Sequence, residues 1–542
     1  MSTDALPLPD PDSLPDDSAL LKQLVIQLIQ EIRAGRREKE SLEYRIDLLL
    51  RRLYGRSSEK LDPRQGLLFE RAADEAAASA PPSEAVTAAE SPSEAPDDAP
   101  SKKKRKGHGR RPKPDTLDVR EKVHDLTDAE KAALAGDGQL VCIGNEVSEH
   151  YDYEPSCLYI VRNIQKKYAR RPQLLESGEA REEKNVVVAA KPPLPIPGGI
   201  AGPGLLAHVI VSKAADHLPL HRQERINQRQ GVFFPRSTTC DWWLACAELL
   251  IPLYQVLVRE VLASLVVGAD ATRIHVRDTH LKVQHTGFFW LYRGDERHPF
   301  SAFDFSPDQS RDGPENFLKN YSGYLQCDAA GVYDEFFLGS RMIEVGCWAH
   351  ARRRFHEARE LDPGIGQTAL AYIGQLYQVE RELRQRRATQ WRELDLDELA
   401  LRVASQRQEQ SRPVLERFRA WLEAQWPNLI PKNPLRLAMD YTLRHWDALS
   451  RYTENGWLAI DNNAVEREMR SIAIGRKNWL FCGSDRGGRA AAVHFSLIAS
   501  CRRHEIDPFV YLRDVLTTLP KLGTTASAEQ LRALLPDRHR PG

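Results

Sequence analysis

The sequence predicts a multidomain α/β protein, and two observations support this prediction. At 542 residues, the chain is long enough for several domains. Within residues 261–504, three segments rich in apolar and β-branched residues follow one another, and helical segments then accompany two further strands. This order is typical of a ribonuclease H-like core. Residues 363–450 are rich in Arg, Glu, Gln and Leu, and we predict that they form an all-α insertion in that domain.

The N-terminal part of the chain is predicted to contain one long helix. Residues 1–17 are acidic and Pro-rich, so we expect them to be disordered and to carry no signal peptide. In residues 18–70, Leu and Ile recur at steps of three and four residues, which predicts an amphipathic helix. Such a helix suits either a coiled coil or packing against its own domain.

A linker with a basic end follows over residues 71–114. Its first part contains Ala, Pro, Ser and Glu without aromatic residues, and is therefore predicted to be disordered. Its end, KKKRKGHGRRPKP, is predicted to be a basic arm that neutralises DNA phosphates; a solvated tail is the alternative. The arm contains Lys102, Lys103, Lys104, Arg105, Lys106, Arg110, Arg111 and Lys113.

Two helical stretches are predicted over residues 205–260, after a Pro/Gly linker at 191–204. The first is predicted over 205–230; a turn at Gly231 follows, and the second is predicted over 236–250, beginning with Arg236, Ser237 and Thr238. This pattern suits a helix-turn-helix that contacts DNA, and a plain αα-hairpin equally well.

Asp270 is the most informative acidic residue in the predicted core. It lies within LVVGADATRIHV, which is predicted to be a central strand. Strands are also predicted at 287–293 and 300–305, and a fourth strand is predicted to end at Asp328. A buried carboxylate is costly unless it is paired or bound to a metal ion.

Residues 461–484, DNNAVEREMRSIAIGRKNWLFCGS, are predicted to be a short helix followed by a strand. Asp461 is a candidate capping residue, and Glu466 is predicted to lie in the second turn. The basic residues Arg467, Arg476 and Lys477 follow and are candidates for contacts with DNA phosphates. A carboxylate beside basic residues suits a site where metal ions meet a phosphodiester, although Glu466 could instead simply pair with Arg470.

This stretch closely resembles a block of the insertion sequence 66 family of bacterial transposases. GADAT at 268–272, LQCDAAGVY around Asp328, HLPLHRQERI and STTCDWW are similar to further blocks, in the same order. The resemblance covers most of the chain from about residue 20, and it implies a DDE-type enzyme. Its catalytic, metal-binding carboxylates would be Asp270, Asp328 and Glu466, with two Mg²⁺ ions that Mn²⁺ can replace. Ala271 departs from the family, which usually has an acidic residue there.

The resemblance also implies further features. Residues 115–190 resemble the zinc-binding module of the family but lack its Cys pairs, so a β-rich domain without structural zinc is expected. Cys347 and His350 form a CxxH pair that also occurs in the family, and we interpret it as structural support. Residues 505–542 are predicted to be a C-terminal helix and tail.

The expected partners are double-stranded DNA, as element ends and target, further copies of the chain on DNA, and accessory proteins of the same element. Acidic and basic residues number 76 each, so net charge does not indicate a partner. The eight Cys include no CxxC pair, which favours a reducing compartment, and a bacterial cytoplasmic, nucleoid-associated protein without membrane contact is expected. Two alternatives are a catalytically silent DNA-binding protein and a ribonuclease H-type nuclease without strand transfer.

Overall fold

The computed structural model describes residues 118–135, 140–154, 157–170, 186–278, 282–339, 341–523 and 525–540. The predictions for segments 1–17, 18–70 and 71–114 concern residues outside these ranges. The described part is a mixed α/β structure in which helices predominate and two sheets are present.

The first sheet belongs to the β-rich region and is dominated by one long hairpin. Its strands pair in the order β1-β3-β2, and β4 also pairs with β3. The elements are β1 (Val119–His124), helix α1 (Asp128–Ala135), β2 (Leu140–Glu154), β3 (Cys157–Arg170) and β4 (Val186–Val188).

The two cysteines of this hairpin lie far apart. Cys157 pairs with Glu154 beside the turn, whereas Cys142 pairs with Tyr168 near the other end. At roughly 3.3 Å per residue the two thiols are more than about 30 Å apart. They therefore cannot bind one zinc ion together within a single chain.

Three helices connect the two sheets, and they differ from the predicted pair. They are α2 (Pro203–Ala214), α3 (Leu220–Arg229) and α4 (Arg236–Leu262). The stretch predicted as one helix over 205–230 is divided because His217 has a positive φ of 58° and Pro219 caps the next helix. Helix α4 continues beyond the predicted end at residue 250 because Leu253 and Leu257 are buried along it.

The second sheet is the larger of the two in the described residues. Its strands have the order β7-β6-β5-β8-β9, with β10 pairing to β5. Strand β6 is antiparallel to β5 and β7, whereas β8, β9 and β10 pair in parallel with their neighbours. The strands are β5 (Val266–Asp278), β6 (Val283–Arg293), β7 (Ser301–Ser306), β8 (Gly323–Gln326), β9 (Met342–Val345) and β10 (Phe481–Cys482).

The fourth of these strands ends earlier than predicted. Strand β8 stops at Gln326, two residues before Asp328. Ala329 has a φ of 58°, and a 3₁₀ helix then covers Gly331–Phe337. Asp328 therefore lies on the turn that leaves the strand rather than in the sheet. Helix α5 (Asp312–Leu318) precedes this strand.

The edge strand β7 is covered by helix α12 (Asp485–Arg503). Ser500 Oγ accepts a hydrogen bond from the Ser301 backbone N–H at 3.1 Å, and Ser496 Oγ accepts one from Phe303 N–H at 2.7 Å. Two serines one helical turn apart thus satisfy donors that an edge strand would otherwise leave open.

The helical insertion has a hydrophobic core of its own, lined by residues such as Trp348, Phe355, Phe418 and Trp446. Its helices, with the helix that leads into it, are α6 (Trp348–Ala358), α7 (Pro363–Thr389), α8 (Leu396–Gln425), α9 (Pro434–Arg444) and α10 (Trp446–Ser450). A buried ion pair links α7 to α8, because Arg407 donates to both Glu380 carboxylate oxygens at 2.7 and 2.8 Å.

Backbone hydrogen bonds hold the two ends of the insertion together. Gly346 N–H donates to the Ala448 carbonyl at 2.9 Å, and Trp348 N–H donates to the Ile460 carbonyl at 3.1 Å. The chain therefore leaves the second sheet and returns at nearly the same place. Helices α11 (Asn463–Trp479), α13 (Pro508–Leu522) and α14 (Ala528–Arg532) complete the described elements. Across the described ranges, every helix is too short or too polar to traverse a bilayer.

Candidate active site

Asp270 and Asp328 are brought together by the parallel pairing of β5 with β8. The paired residues Val266 and Tyr324, and then Gly268 and Gln326, differ by 58 in number, as Asp270 and Asp328 do. Asp270, within β5, and Asp328, two residues beyond the end of β8, therefore lie at matching positions when this register is continued past its last pair. Parallel strands end on one side of a sheet, which is where functional side chains commonly gather.

Asp270 is partly buried, and its environment disfavours the charged form. Burial raises the pKa of its carboxyl group to about 7, and the neighbouring Asp328 and Glu466 carboxylates act in the same direction. The Ala271 backbone N–H, which donates to Asp270 Oδ1 at 2.7 Å, opposes this rise in pKa. The carboxylate of Asp270 thus interacts electrostatically with those of Asp328 and Glu466, although the three residues lie far apart in the sequence.

The beginning of α11 packs directly on β5. A Cβ atom on Gly268 would lie only 2.5 Å from Val465 Cγ2, so the close approach requires glycine at this position. Asn462, which caps the helix by position, donates from Nδ2 to the Ala269 carbonyl at 2.8 Å. These contacts hold the first turn of α11 beside the strand that carries Asp270.

Glu466 lies in this first turn, rather than in the second turn as the sequence analysis predicted. Its Oε1 is 3.8 Å from His350 Nδ1, and its Oε2 is 4.0 Å from Arg353 Nη2. Glu466 therefore faces α6, and these contacts differ from the alternative pairing with Arg470. Among the described residues, Glu466 Oε1 is buried without a hydrogen-bond partner.

Asp461 connects α11 to the insertion. Its Oδ1 accepts a bond from the Asn463 backbone N–H at 3.1 Å, so it satisfies one donor at the start of the helix. Its Oδ2 accepts bonds from Tyr377 Oη and Asn463 Nδ2, each at 2.8 Å. Burial raises the pKa of Asp461, and the Tyr377 bond opposes that rise.

The donor set suits a divalent cation that prefers oxygen. Asp270, Asp328 and Glu466 offer only carboxylate oxygens, which Mg²⁺ and Mn²⁺ favour. A cation would relieve both the raised pKa of Asp270 and the unsatisfied Oε1 of Glu466. Among the described residues, the group that places one ligand atom from each member within 4.8 Å of the others is a different one, Cys347, His350 and Glu466.

The predicted DNA-contacting residues lie at different places. Arg476 is tied to β5, because its Nη1 donates to Thr272 Oγ1 and to the Arg273 carbonyl, each at 2.9 Å. Arg467 and Lys477 are exposed on α11.

At the start of α4, Arg236 and Ser237 are exposed and Thr238 is half-buried. The backbone N–H of Arg236 donates to Glu224 at 3.2 Å, so the contacts of this helix start are with α3. The basic arm, Lys102 to Lys113, lies outside the described residues.

Three residues that shape the site, Gly268, Asn462 and Arg353, were not predicted from the sequence. Gly268 and Asn462 lie in GADAT and DNN, close in sequence to the predicted acids. This closeness was the sequence feature that could have indicated their part in the site. Arg353 belongs to the run HARRRF, in which the sequence does not show which Arg faces inward.

Three family models match parts of this chain. The family described as "Transposase IS66 family" matches residues 198–490, "Transposase C of IS166 homeodomain" matches residues 41–121, and "IS66 C-terminal element" matches residues 496–536.

Similar proteins occur in Sinorhizobium fredii (strain NBRC 101917 / NGR234). "Uncharacterized protein y4jD" is 32% identical over 419 residues, which cover 75% of this chain and 78% of the relative. "Uncharacterized protein y4hP" is 27% identical over 515 residues, or 88% and 86% of the two chains. The chain belongs to the IS66 family of transposases.

Proposed function

We propose that this protein binds the ends of an insertion sequence and catalyses DNA strand cleavage and strand transfer by a DDE mechanism. The observation that carries the proposal is the convergence of three acids: the register of β5 with β8 brings Asp328 toward Asp270, and the packing of α11 on β5 at Gly268 brings Glu466 there. These acids come from β5, the turn after β8 and helix α11. Such a convergence is costly for the fold unless the site serves to bind cations.

The sheet supports a ribonuclease H-like core for this activity. Strands β5, β6 and β7 are sequential and antiparallel, and β8 and β9 then add in parallel on the other side of β5. The central strand carries the first acid, its parallel neighbour leads to the second, and a helix packed on the sheet presents the third.

The residues of the chain have distinct parts in this proposal. Two Mg²⁺ or Mn²⁺ ions, when bound, would activate the attacking oxygen and stabilise the leaving oxygen. Asp270, Asp328 and Glu466 would hold these ions through their carboxylate oxygens. Arg353, half-exposed beside Glu466, would orient a DNA phosphate.

DNA binding is proposed to involve several further regions. The basic arm, the exposed Arg467 and Lys477 on α11, and the start of α4 would contact phosphates, with the helices before β5 serving as a helix-turn-helix. Pairing of two DNA ends would require further copies of the chain, with or without accessory proteins. Such a protein would act at the bacterial nucleoid.

The replacement Asp270→Asn tests the proposal. It keeps the size of the side chain but removes the charge that holds the cation. Cleavage of labelled end DNA with Mg²⁺ or Mn²⁺ should fall by at least about 10³-fold, since the contribution of the metal ions is lost. Binding of end DNA, measured in Ca²⁺, should be retained. Full cleavage by Asp270→Asn would contradict the DDE mechanism, and cleavage without joining by the unmodified protein would indicate a nuclease.

A further inference from the structure

The segment around Cys347 and His350 makes a series of contacts with the start of the Glu466 helix. Cys347 Sγ accepts a hydrogen bond from the Asn462 backbone N–H at 3.2 Å. The adjacent Trp348 N–H donates to the Ile460 carbonyl at 3.1 Å. The loop before α6 and the loop before α11 are thus joined on both sides of Asp461.

The thiol satisfies a donor that helix geometry leaves open. The first N–H groups of an α-helix have no partner within the helix, and a buried one is costly. Asn462 is almost fully buried, and its own side chain is directed to the Ala269 carbonyl. The fully buried thiol of Cys347 therefore satisfies the Asn462 backbone N–H, which the side chain of Asn462 leaves without a partner.

The imidazole faces the carboxylate itself. His350 Nδ1 and Glu466 Oε1 are 3.8 Å apart, and among the described residues each is a buried atom without a hydrogen-bond partner. A small rotation of either side chain would form a hydrogen bond, since bonds in a site without its ligands are often long. His350 and Cys347 are three residues apart at the start of one helix, so both act from the same end of α6.

We propose that the Cys347–His350 pair is a positioning device for Glu466, in which the thiol fixes the start of α11 and the imidazole orients the carboxylate. This inference rests on the proposed catalytic function of Glu466. A ligand that is held by a neighbouring hydrogen bond meets its metal ion with less reorganisation. Both residues are thus positioning residues rather than catalytic ones.

The same three side chains could be interpreted as a site for a metal of the zinc class. A structural zinc site requires four ligands, and Cys347, His350 and Glu466 supply three. The Cys347 Sγ also already accepts the Asn462 backbone N–H at 3.2 Å, which occupies it as a hydrogen-bond acceptor. The contacts therefore favour positioning over metal binding, and metal analysis distinguishes the two.

The test uses the full-length protein with His350→Ala, His350→Asn, Cys347→Ala and Cys347→Ser. Asn places an amide donor near the position of Nδ1, and Ser retains an acceptor for the Asn462 N–H. The matched control is His356→Ala, which removes a histidine from the same helix away from Glu466. Single-turnover cleavage is measured across a Mn²⁺ titration, together with end binding in Ca²⁺ and thermal unfolding.

Both Ala variants should cleave about 10- to 100-fold more slowly and need more Mn²⁺ for half-maximal rate, as is typical when a partner of a metal ligand is lost. His350→Asn and Cys347→Ser should recover much of the rate, and His356→Ala should stay within about twofold of wild type. In a Glu466→Gln background, His350→Ala should no longer change Mn²⁺ affinity, because it acts through Glu466.

Two outcomes would overturn the inference. One is a wild-type rate and Mn²⁺ requirement in His350→Ala while Asp270→Asn is inactive, a result that leaves the DDE mechanism intact. The other is one zinc ion per purified chain that disappears in both Cys347→Ala and His350→Ala, because the group would then be a metal site. Full activity of Asp270→Asn would instead overturn the proposed function, and this inference with it.

Discussion

The two faces of the second sheet each carry a partly buried aspartate, and the two residues differ in their surroundings. Asp270 pairs across the sheet with Leu291 and then Phe303, whereas Asp304 pairs with Trp290 and then Ala271. Since neighbouring residues of a strand point to opposite faces, Asp270 and Asp304 lie on opposite sides of the sheet.

Burial raises the pKa of both groups, to about 7 for Asp270 and about 6 for Asp304. On the Asp270 face, the carboxylates of Asp328 and Glu466 raise the pKa further. On the other face, the Phe305 backbone N–H and the Arg489 guanidinium lower the pKa of Asp304 instead. Burial of an acid is therefore common to both faces, and only the convergence of several acids suggests a cation site.

The largest expected effect separates the two aspartates directly. Asp304→Asn should cleave end DNA within a few-fold of wild type, whereas Asp270→Asn should lose at least about 10³-fold. Mn²⁺ should raise the melting temperature of wild type and Asp304→Asn but not that of Asp270→Asn, since a ligand stabilises only a protein that binds it. Equal losses in the two variants would remove the distinction between the faces.

A smaller effect is expected from Gly268→Ala, on the Asp270 face. The added methyl group would meet Val465 at 2.5 Å and displace the start of α11, and with it Glu466. Unfolding free energy should fall by about 1–3 kcal/mol, and cleavage should slow by about 10- to 100-fold. The control Gly374→Ala has open space in helix α7, so it should be neutral or stabilising by up to about 1 kcal/mol. Unchanged cleavage by Gly268→Ala would contradict the close contact.

The smallest expected effect is a pH dependence on the Asp304 face. The folded-state pKa of Asp304 is raised from 3.8 to about 6, so the folded protein binds this proton more tightly than the unfolded chain does. Stability should therefore fall as pH rises from about 4 to about 6, and Asp304→Asn should remove this part of the fall. The difference in unfolding free energy between variant and wild type should grow by about 1–2 kcal/mol over that range. Denaturant unfolding at several pH values measures it, and a constant difference would contradict the raised pKa.

The two aspartates also show how far the sequence could predict this site. An acid within an apolar segment singled out Asp270, but FSAFDF gives Asp304 the same signal. The face on which each lies depends on the registers of β5 with β6 and of β6 with β7, which are tertiary properties. Resemblance to the family, rather than local pattern, selected Asp328 and Glu466, whose catalytic role stays a proposal.

Element boundaries were predicted less well than element types. Strand β8 ends before Asp328 at the positive φ of Ala329, and a helix is divided at that of His217. Histidine adopts a positive φ more often than most residues, but the identity of neither residue is enough to predict it. Helix α4 extends beyond residue 250 because burial of Leu253 and Leu257 outweighs the interruption expected at Pro252. These differences arise from packing, which a single sequence does not display.

The hydrogen bonds that close the base of the helical insertion have a consequence for chain entropy and for evolution. In sequence, 138 residues separate Glu466 from Asp328, and an open loop of that length would be entropically costly to close. Gly346 is hydrogen-bonded to Ala448 and Trp348 to Ile460, so the helical insertion begins and ends at the same place. The length of this closed excursion therefore does not change the distance between the end of β9 and the start of α11. The excursion can therefore lengthen, shorten or acquire new surfaces over generations while the third acid keeps its place.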